Sequence, residues 1–221
     1  MNSISDVQSK LETLLFTNQP EYQVYDALQA GVDSDYMMYS PLVNGYTSVA
    51  EQRFLFQNVL IGFDATKYSI LDIGCGRGDL YGYLQELTDN NIFSYDGIDH
   101  NPNLVELASK RYDLTVRTVA YETLSNQKAD WVVAINVFTQ RKCETESADL
   151  IKLYDDIKLL YNCATQCVSF NLLSPINANL QPGQFYVHPG LILDMLLERY
   201  KFVTIRHNYA TNIYTVTIYK F

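Results

Sequence analysis

One short stretch restricts this chain more than any other: a strand that runs into alternating glycines and then into a helix. Ile70-Leu71-Asp72-Ile73 is apolar and strand-forming, Gly74-Cys75-Gly76-Arg77-Gly78 interrupts it, and Asp79-Leu80 opens a segment with helical spacing. Glycine is needed where a backbone turns sharply or lies close to a ligand. About 20 residues later a second strand ends in Gly97-Ile98-Asp99, the place where an acidic side chain accepts the ribose hydroxyls of a bound adenosine.

The rest of the chain sets this motif in an alternating pattern. Strands are expected at Tyr68–Ile73, Ile92–Asp99, Leu114–Val119, Trp131–Phe138 and Gln166–Leu173, with helices between them. Asn101 is placed to cap one helix, with Pro102 at its first position. Trp131–Phe138 is a continuous apolar run, as in strands buried on both faces. Such alternation predicts an α/β fold, a mostly parallel sheet covered by helices on both faces. After a helix over Gly190–Tyr200, segments Phe202–Tyr209 and Ile213–Tyr219 are separated only by Ala210, Thr211 and Asn212. So short a connection permits only an antiparallel pair.

Upstream, helices are expected at Ser3–Phe16 and Glu21–Ala30, followed by an irregular, tyrosine-rich stretch from Val32 to Thr47. Ser48 and Glu51 have the spacing of a capping box for a further helix. The expected organisation is therefore an N-terminal helical lid or extension over residues 1–47 and a nucleotide-binding domain over 48–221.

Charge decides which nucleotide suits the loop. A dinucleotide fingerprint carries its third glycine or alanine one position beyond Gly78, where this chain has Asp79. A pyrophosphate there would meet Asp72 and Asp79, and like charges at that range repel. A sulfonium cofactor with a protonated amine and no phosphate reverses the sign. The acidic loop thus favours S-adenosylmethionine over a nicotinamide dinucleotide.

Leu71-Asp72-Ile73-Gly74-Cys75-Gly76-Arg77-Gly78 resembles the first motif of the class I, Rossmann-like S-adenosylmethionine-dependent methyltransferases, and Asp99 matches that family's ribose-binding acid. The terminal hairpin is similar to the reversed seventh strand that closes the family's sheet. The resemblance covers about Ser48 to Phe221. It implies a seven-stranded sheet with an antiparallel C-terminal hairpin. It also implies that Gly74, Cys75, Gly76 and Gly78 contact the methionine portion of the cofactor. Asp72 would brace the loop or meet the cofactor amine, Asp99 would hold the ribose, and His100 would lie along the adenine. Tyr121 stands where many members read the adenine edge, although Ala120-Tyr121 replaces their usual pair. Asn136 and Val137 would face the methyl group and the substrate. Gln52-Arg53-Phe54 and Arg206-His207-Asn208-Tyr209 resemble segments of one bacterial subgroup, and Arg53 is a candidate for the cofactor carboxylate, which suits a bidentate guanidinium.

Methyl transfer needs mainly alignment of nucleophile and methyl, and a base only if the acceptor must lose a proton. Candidate acid–base residues are His207, Tyr209, His188 and Tyr39. The pattern of amino-methylating DNA enzymes, an acidic or Asn residue followed by two prolines and an aromatic, is missing at the end of the fourth strand, and no Pro-Cys pair is present. A net charge of −9 also lacks the basic footprint of a nucleic-acid binder. The expected acceptor is therefore a small molecule or a protein. Cys75, Cys143, Cys163 and Cys167 form no paired metal motif and are expected as free thiols, so no metal is expected. The start of the chain lacks a basic, apolar leader and no run reaches membrane-spanning length, which together point to a cytoplasmic protein. The alternative is a non-catalytic protein that uses the same fold to bind cofactor or to assemble.

Overall fold

The computed structural model describes residues 46–220 except 90–92, 115, 119–123, 125 and 177. The expected helices before residue 46, with Tyr39, and also Tyr121 lie outside the described residues. The chain divides into two compact units, Met1–Leu55 with Gln181–Gly183, and Phe56–Leu180 with Gln184–Phe221.

Among the described residues the first helix is α1, Val49–Val59. Its start obeys the capping logic read from Ser48 and Glu51. The Glu51 amide donates to Ser48 Oγ at 3.1 Å. The Glu51 carboxylate turns back to accept from the Thr47 amide at 2.7 Å and the Thr47 hydroxyl at 2.5 Å. The reciprocal bond thus reaches one residue earlier than in a standard capping box.

In the second unit, β1 (Ile70–Ile73), α2 (Asp79–Leu87), β2 (Tyr95–Asp99), α3 (Pro102–Tyr112), β3 (Val116–Thr118), β4 (Ala129–Ala134), α4 (Glu146–Cys163), β5 (Ala164–Leu173), α5 (Pro189–Leu197), β6 (Val203–Arg206) and β7 (Ile213–Tyr219) follow in order. They build a seven-stranded sheet of order β3-β2-β1-β4-β5-β7-β6. The first five strands are mutually parallel, and β7 runs antiparallel to both β5 and β6. The expected α/β sheet with a reversed C-terminal hairpin is present.

The order reverses between β1 and β4, and the carboxyl ends of the strands at such a reversal are where open α/β sheets bind ligands in a crevice. The core beneath it is apolar. Val132, Val168, Phe170, Leu172, Val216 and Ile218 expose at most 0% and meet Leu153, Ile157 and Leu160, which share one face of α4 at the spacing of an amphipathic helix. Trp131 is buried at the start of β4, in register with Ile70, and its ring lies 5.3 Å from that of Phe63.

Several boundaries differ from expectation. β4 spans Ala129–Ala134, not Trp131–Phe138, because Asn136 takes a left-handed φ of 59° that no strand continues through. Phe138 nonetheless stays buried, edge-on to Phe170 at 5.6 Å. The hairpin is looser than the sequence suggests. β6 ends at Arg206, so residues 207–212 connect it to β7. His207 and Tyr209 therefore sit on the connection and not on a strand. The α3 cap is as expected, with Asn101 Oδ1 accepting from the Asn103 amide at 3.0 Å and Pro102 opening the helix.

Candidate functional site

The glycine loop follows the carboxyl end of β1, at the edge where the strand order reverses. Gly74, Gly76 and Gly78 all have positive φ, at 74°, 55° and 78°, a conformation that costs L-residues with a Cβ. The first turn is also sterically closed from above: a Cβ on Gly74 would lie 2.6 Å from Val137 Cγ2. Val137, from the turn after β4, is thus packed directly over the loop.

Asp99 ties the loop to the second strand. Its Oδ2 accepts from the Gly76 amide at 2.8 Å and its Oδ1 from the Asn101 amide at 2.8 Å. It is only 5% exposed. Each oxygen keeps a second lone pair, so the carboxylate holds loop and helix start together without exhausting its capacity to accept. His100 is exposed, with Nδ1 3.5 Å from Asp99 Oδ1.

Asp72 is buried in β1, and the Tyr95 hydroxyl donates to its Oδ2 at 2.7 Å. Burial pushes the carboxyl up to about 7; the Tyr95 bond works against that, and the charges of Asp99 and Asp79 add to it. The same burial, beside the Asp72 carboxylate, raises the Tyr95 phenol. Tyr95 is one of four linked rings, since Tyr81 lies 5.2 Å from Phe93 and Tyr95 and 5.5 Å from Tyr112.

Asp79 corrects the charge reading of the sequence. It was expected to add a bare negative wall, but Arg77 Nε donates to its Oδ2 at 3.1 Å and Arg111 Nη1 donates to its Oδ1. Arg77 is 1% exposed. Two guanidiniums on one carboxylate leave the α2 entrance compensated. The acidic character of the crevice therefore rests on Asp72 and Asp99. Cys75 turns its side chain away from solvent. Its side chain is packed with Ala108 and Val116, and burial raises its thiol pKa far beyond the ordinary range, so only its backbone belongs to the loop.

On the other side of the crevice, Asn136 and Asn171 exchange hydrogen bonds. The Asn136 amide N–H donates to Asn171 Oδ1 and Asn171 Nδ2 donates to Asn136 Oδ1, both at 2.8 Å. Asn171 stands on β5 in register with Thr215 of β7, and the Tyr209 hydroxyl pairs with Thr215 Oγ1 at 2.8 Å.

The acid–base candidates are not gathered at the loop. His188 caps α5, its Nδ1 accepting from the Gly190 amide at 3.1 Å. His207 Nε2 is 3.3 Å from the Thr211 carbonyl. Burial raises the Tyr209 phenol to about 12, which leaves it protonated at neutral pH. Arg53 lies on α1 within the first unit. Among the described residues no His, Cys, Asp and Glu group has the makings of a metal site, and the four cysteines are free. No described helix is long and apolar enough to cross a membrane.

Sequence reasoning missed Tyr95, Arg111 and Asn171. Nothing local marks the first two, whose partners are 23 and 32 residues away. Asn171 had a readable signal: with Ser169 it puts polar side chains at alternate positions of the otherwise apolar stretch Cys167–Leu173, which marks one face as polar.

Comparisons with known proteins agree with this geometry. Residues 70–154 match the family described as methyltransferase domain. A protein of Mycobacterium tuberculosis named "Putative methyltransferase Rv1506c" is 26% identical over 162 residues, covering 71% of this chain and 95% of that protein. Among solved structures, magnesium protoporphyrin IX methyltransferase from Synechocystis PCC 6803 with bound SAM superposes with a TM-score of 0.55. That match has 14% identity and covers 87% of this chain and 99% of the other. A SAM-dependent methyltransferase from Archaeoglobus fulgidus gives a TM-score of 0.56 at 16% identity, over 77% and 94% of the two chains. At such identities the structures establish the fold, which is that of the class I methyltransferases.

Proposed function

We propose that the protein is an S-adenosylmethionine-dependent methyltransferase acting on a small-molecule or protein acceptor, a reading supported by the match of residues 70–154 to the family described as methyltransferase domain. The observation that carries the reading is the clip between Asp99 and Gly76, which sets a buried carboxylate beside three left-handed glycines at the point where the strand order reverses.

The residues present suit that cofactor. Asp72 and Asp99 offer carboxyl groups to a ribose and a cationic amine. Arg77, the arginine within the loop, is buried against Asp79, an arrangement that does not favour a pyrophosphate. When bound, the cofactor supplies an electrophilic methyl on a sulfonium. The chain's part is then alignment. Val137 and Gly74 define how closely the reacting groups approach, and Asn136 sits at the same edge. Asp72, Asp99 and the Gly74–Gly78 loop would hold the cofactor, which would supply the methyl group to the acceptor and keep the electron pair of the bond given up. A proton that the acceptor carries is released as the new bond forms and passes to solvent.

Calorimetry with S-adenosylmethionine, S-adenosylhomocysteine and NAD tests the reading. Binding of the first two in a 1:1 ratio without NAD is the expected result. Failure of both to bind removes it.

A further inference from the structure

The amide pair at the carboxyl edge of β4 says what the acceptor must carry, on the reading that this crevice is the methyltransferase site. Asn136 is held in a left-handed backbone at φ 59°. Asparagine tolerates that conformation better than most residues, but glycine would do so without strain, so the backbone alone does not call for an amide. The hydrogen bonds do give the amide a task, and they fix its orientation. A backbone N–H can only donate, so the Asn171 atom that meets the Asn136 N–H at 2.8 Å is its oxygen. The other Asn171 terminal atom is then Nδ2, a donor, and the Asn136 atom facing it at 2.8 Å is Oδ1. The Asn136 carbonyl oxygen meanwhile accepts from Thr139 Oγ1 at 3.1 Å.

This leaves Asn136 Nδ2, half-buried and without a partner among the described residues. It sits one residue before Val137, the side chain packed over Gly74. Asn171 is fully buried at 0% exposure and cannot rotate its amide without leaving the Asn136 N–H unpaired, which makes the reversed orientation unfavourable. We infer that Asn136 is a specificity-determining hydrogen-bond donor, and that Asn171 is the residue that positions it. The acceptor molecule it selects carries an oxygen that accepts a hydrogen bond (a carboxylate, carbonyl or hydroxyl) beside the atom that receives the methyl group. An ammonium at that point would meet the Asn136 Nδ2 donor and be disfavoured.

The test uses the full chain saturated with S-adenosylhomocysteine and labelled with 15N. The Asn136 side-chain amide signal is assigned by its loss in Asn136→Asp. Benzoate and phenol serve as oxygen probes and benzylamine as the ammonium probe. The expected result is a downfield shift of the Asn136 amide with an oxygen probe and none with benzylamine. Asn136→Asp weakens the oxygen probes roughly tenfold, the effect of one hydrogen bond, and tightens benzylamine. Asn171→Asp removes the donor to Asn136 Oδ1, lets the Asn136 amide turn inward, and also weakens the oxygen probes. A shift indifferent to probe chemistry, no shift with either oxygen probe, or unchanged preference in Asn136→Asp overturns the inference. If S-adenosylhomocysteine itself does not bind, the methyltransferase reading fails and the inference with it. If it binds and no oxygen probe couples to Asn136, only the inference fails.

Discussion

Val137 lies so close over Gly74 that a Cβ on the glycine would come within 2.6 Å of its Cγ2. The first turn of the loop and the turn after β4 are therefore fitted to one another, although 63 residues of sequence separate them. Gly74→Ala is expected to destabilise the fold by about 2–4 kcal/mol, combining a positive-φ penalty with overpacking. Adding Val137→Ala should recover the steric part and leave the backbone part. Urea unfolding of the two single variants and the double variant measures this, and strict additivity would show that the contact is not felt.

Asp99 holds two backbone amides as well as facing the crevice. Asp99→Ala should cost about 1.5–3 kcal/mol for each charge-assisted bond that it breaks, lowering both unfolding stability and affinity for S-adenosylhomocysteine. Asp99→Asn keeps one acceptor oxygen and should lie between. An alanine variant with unaltered ligand affinity, measured by calorimetry, would remove Asp99 from the binding site.

Asp72 predicts a pH dependence. Its folded carboxyl is raised from 3.8 to about 7, so between those values the native state binds more protons than the unfolded chain. Its contribution to stability is full below about pH 4 and is lost as pH rises through 7. Asp72→Asn preserves an acceptor for the Tyr95 hydroxyl and removes the titration. The melting temperature of this variant minus that of the parent should rise between pH 5 and pH 8. A constant difference would show that Asp72 is ionised in the folded state.

Arg111 reaches from α3 to Asp79 at the start of α2, with its guanidinium 4.7 Å above the Tyr112 ring. Arg111→Met keeps much of the packing but leaves Arg77 as the other guanidinium on Asp79. A loss of about 1–3 kcal/mol is expected, and adding Asp79→Asn should deepen it, because buried Arg77 then also loses this counter-charge. Denaturant unfolding reads both, and an unchanged midpoint would make the contact incidental.

The sequence revealed those parts of the fold and site that depend on local chemistry. Alternating glycines, the Ser48 and Asn101 caps, the acid ending β2 and the reversed last strand can each be read from neighbouring residues, because turn, cap and period are set within a few positions. What escaped was decided across the sheet. The sequence reads as strand through Phe138, but β4 stops at Ala134, before Asn136, whose left-handed backbone is bonded to Asn171 on the next strand. Asp79 read as a bare charge because Arg111 comes from another helix. His188 read as a possible base because its bond to Gly190 depends on where α5 begins.

Trp131 is the chain's single tryptophan, and it lies at the opposite end of β4 from the glycine loop. Its level in the sheet is that of Ile70, with the rest of β1 between it and Gly74. Its emission will therefore follow the melting of the sheet and stay nearly silent when the crevice fills. A fluorescence titration of this protein needs a reporter placed at the other edge.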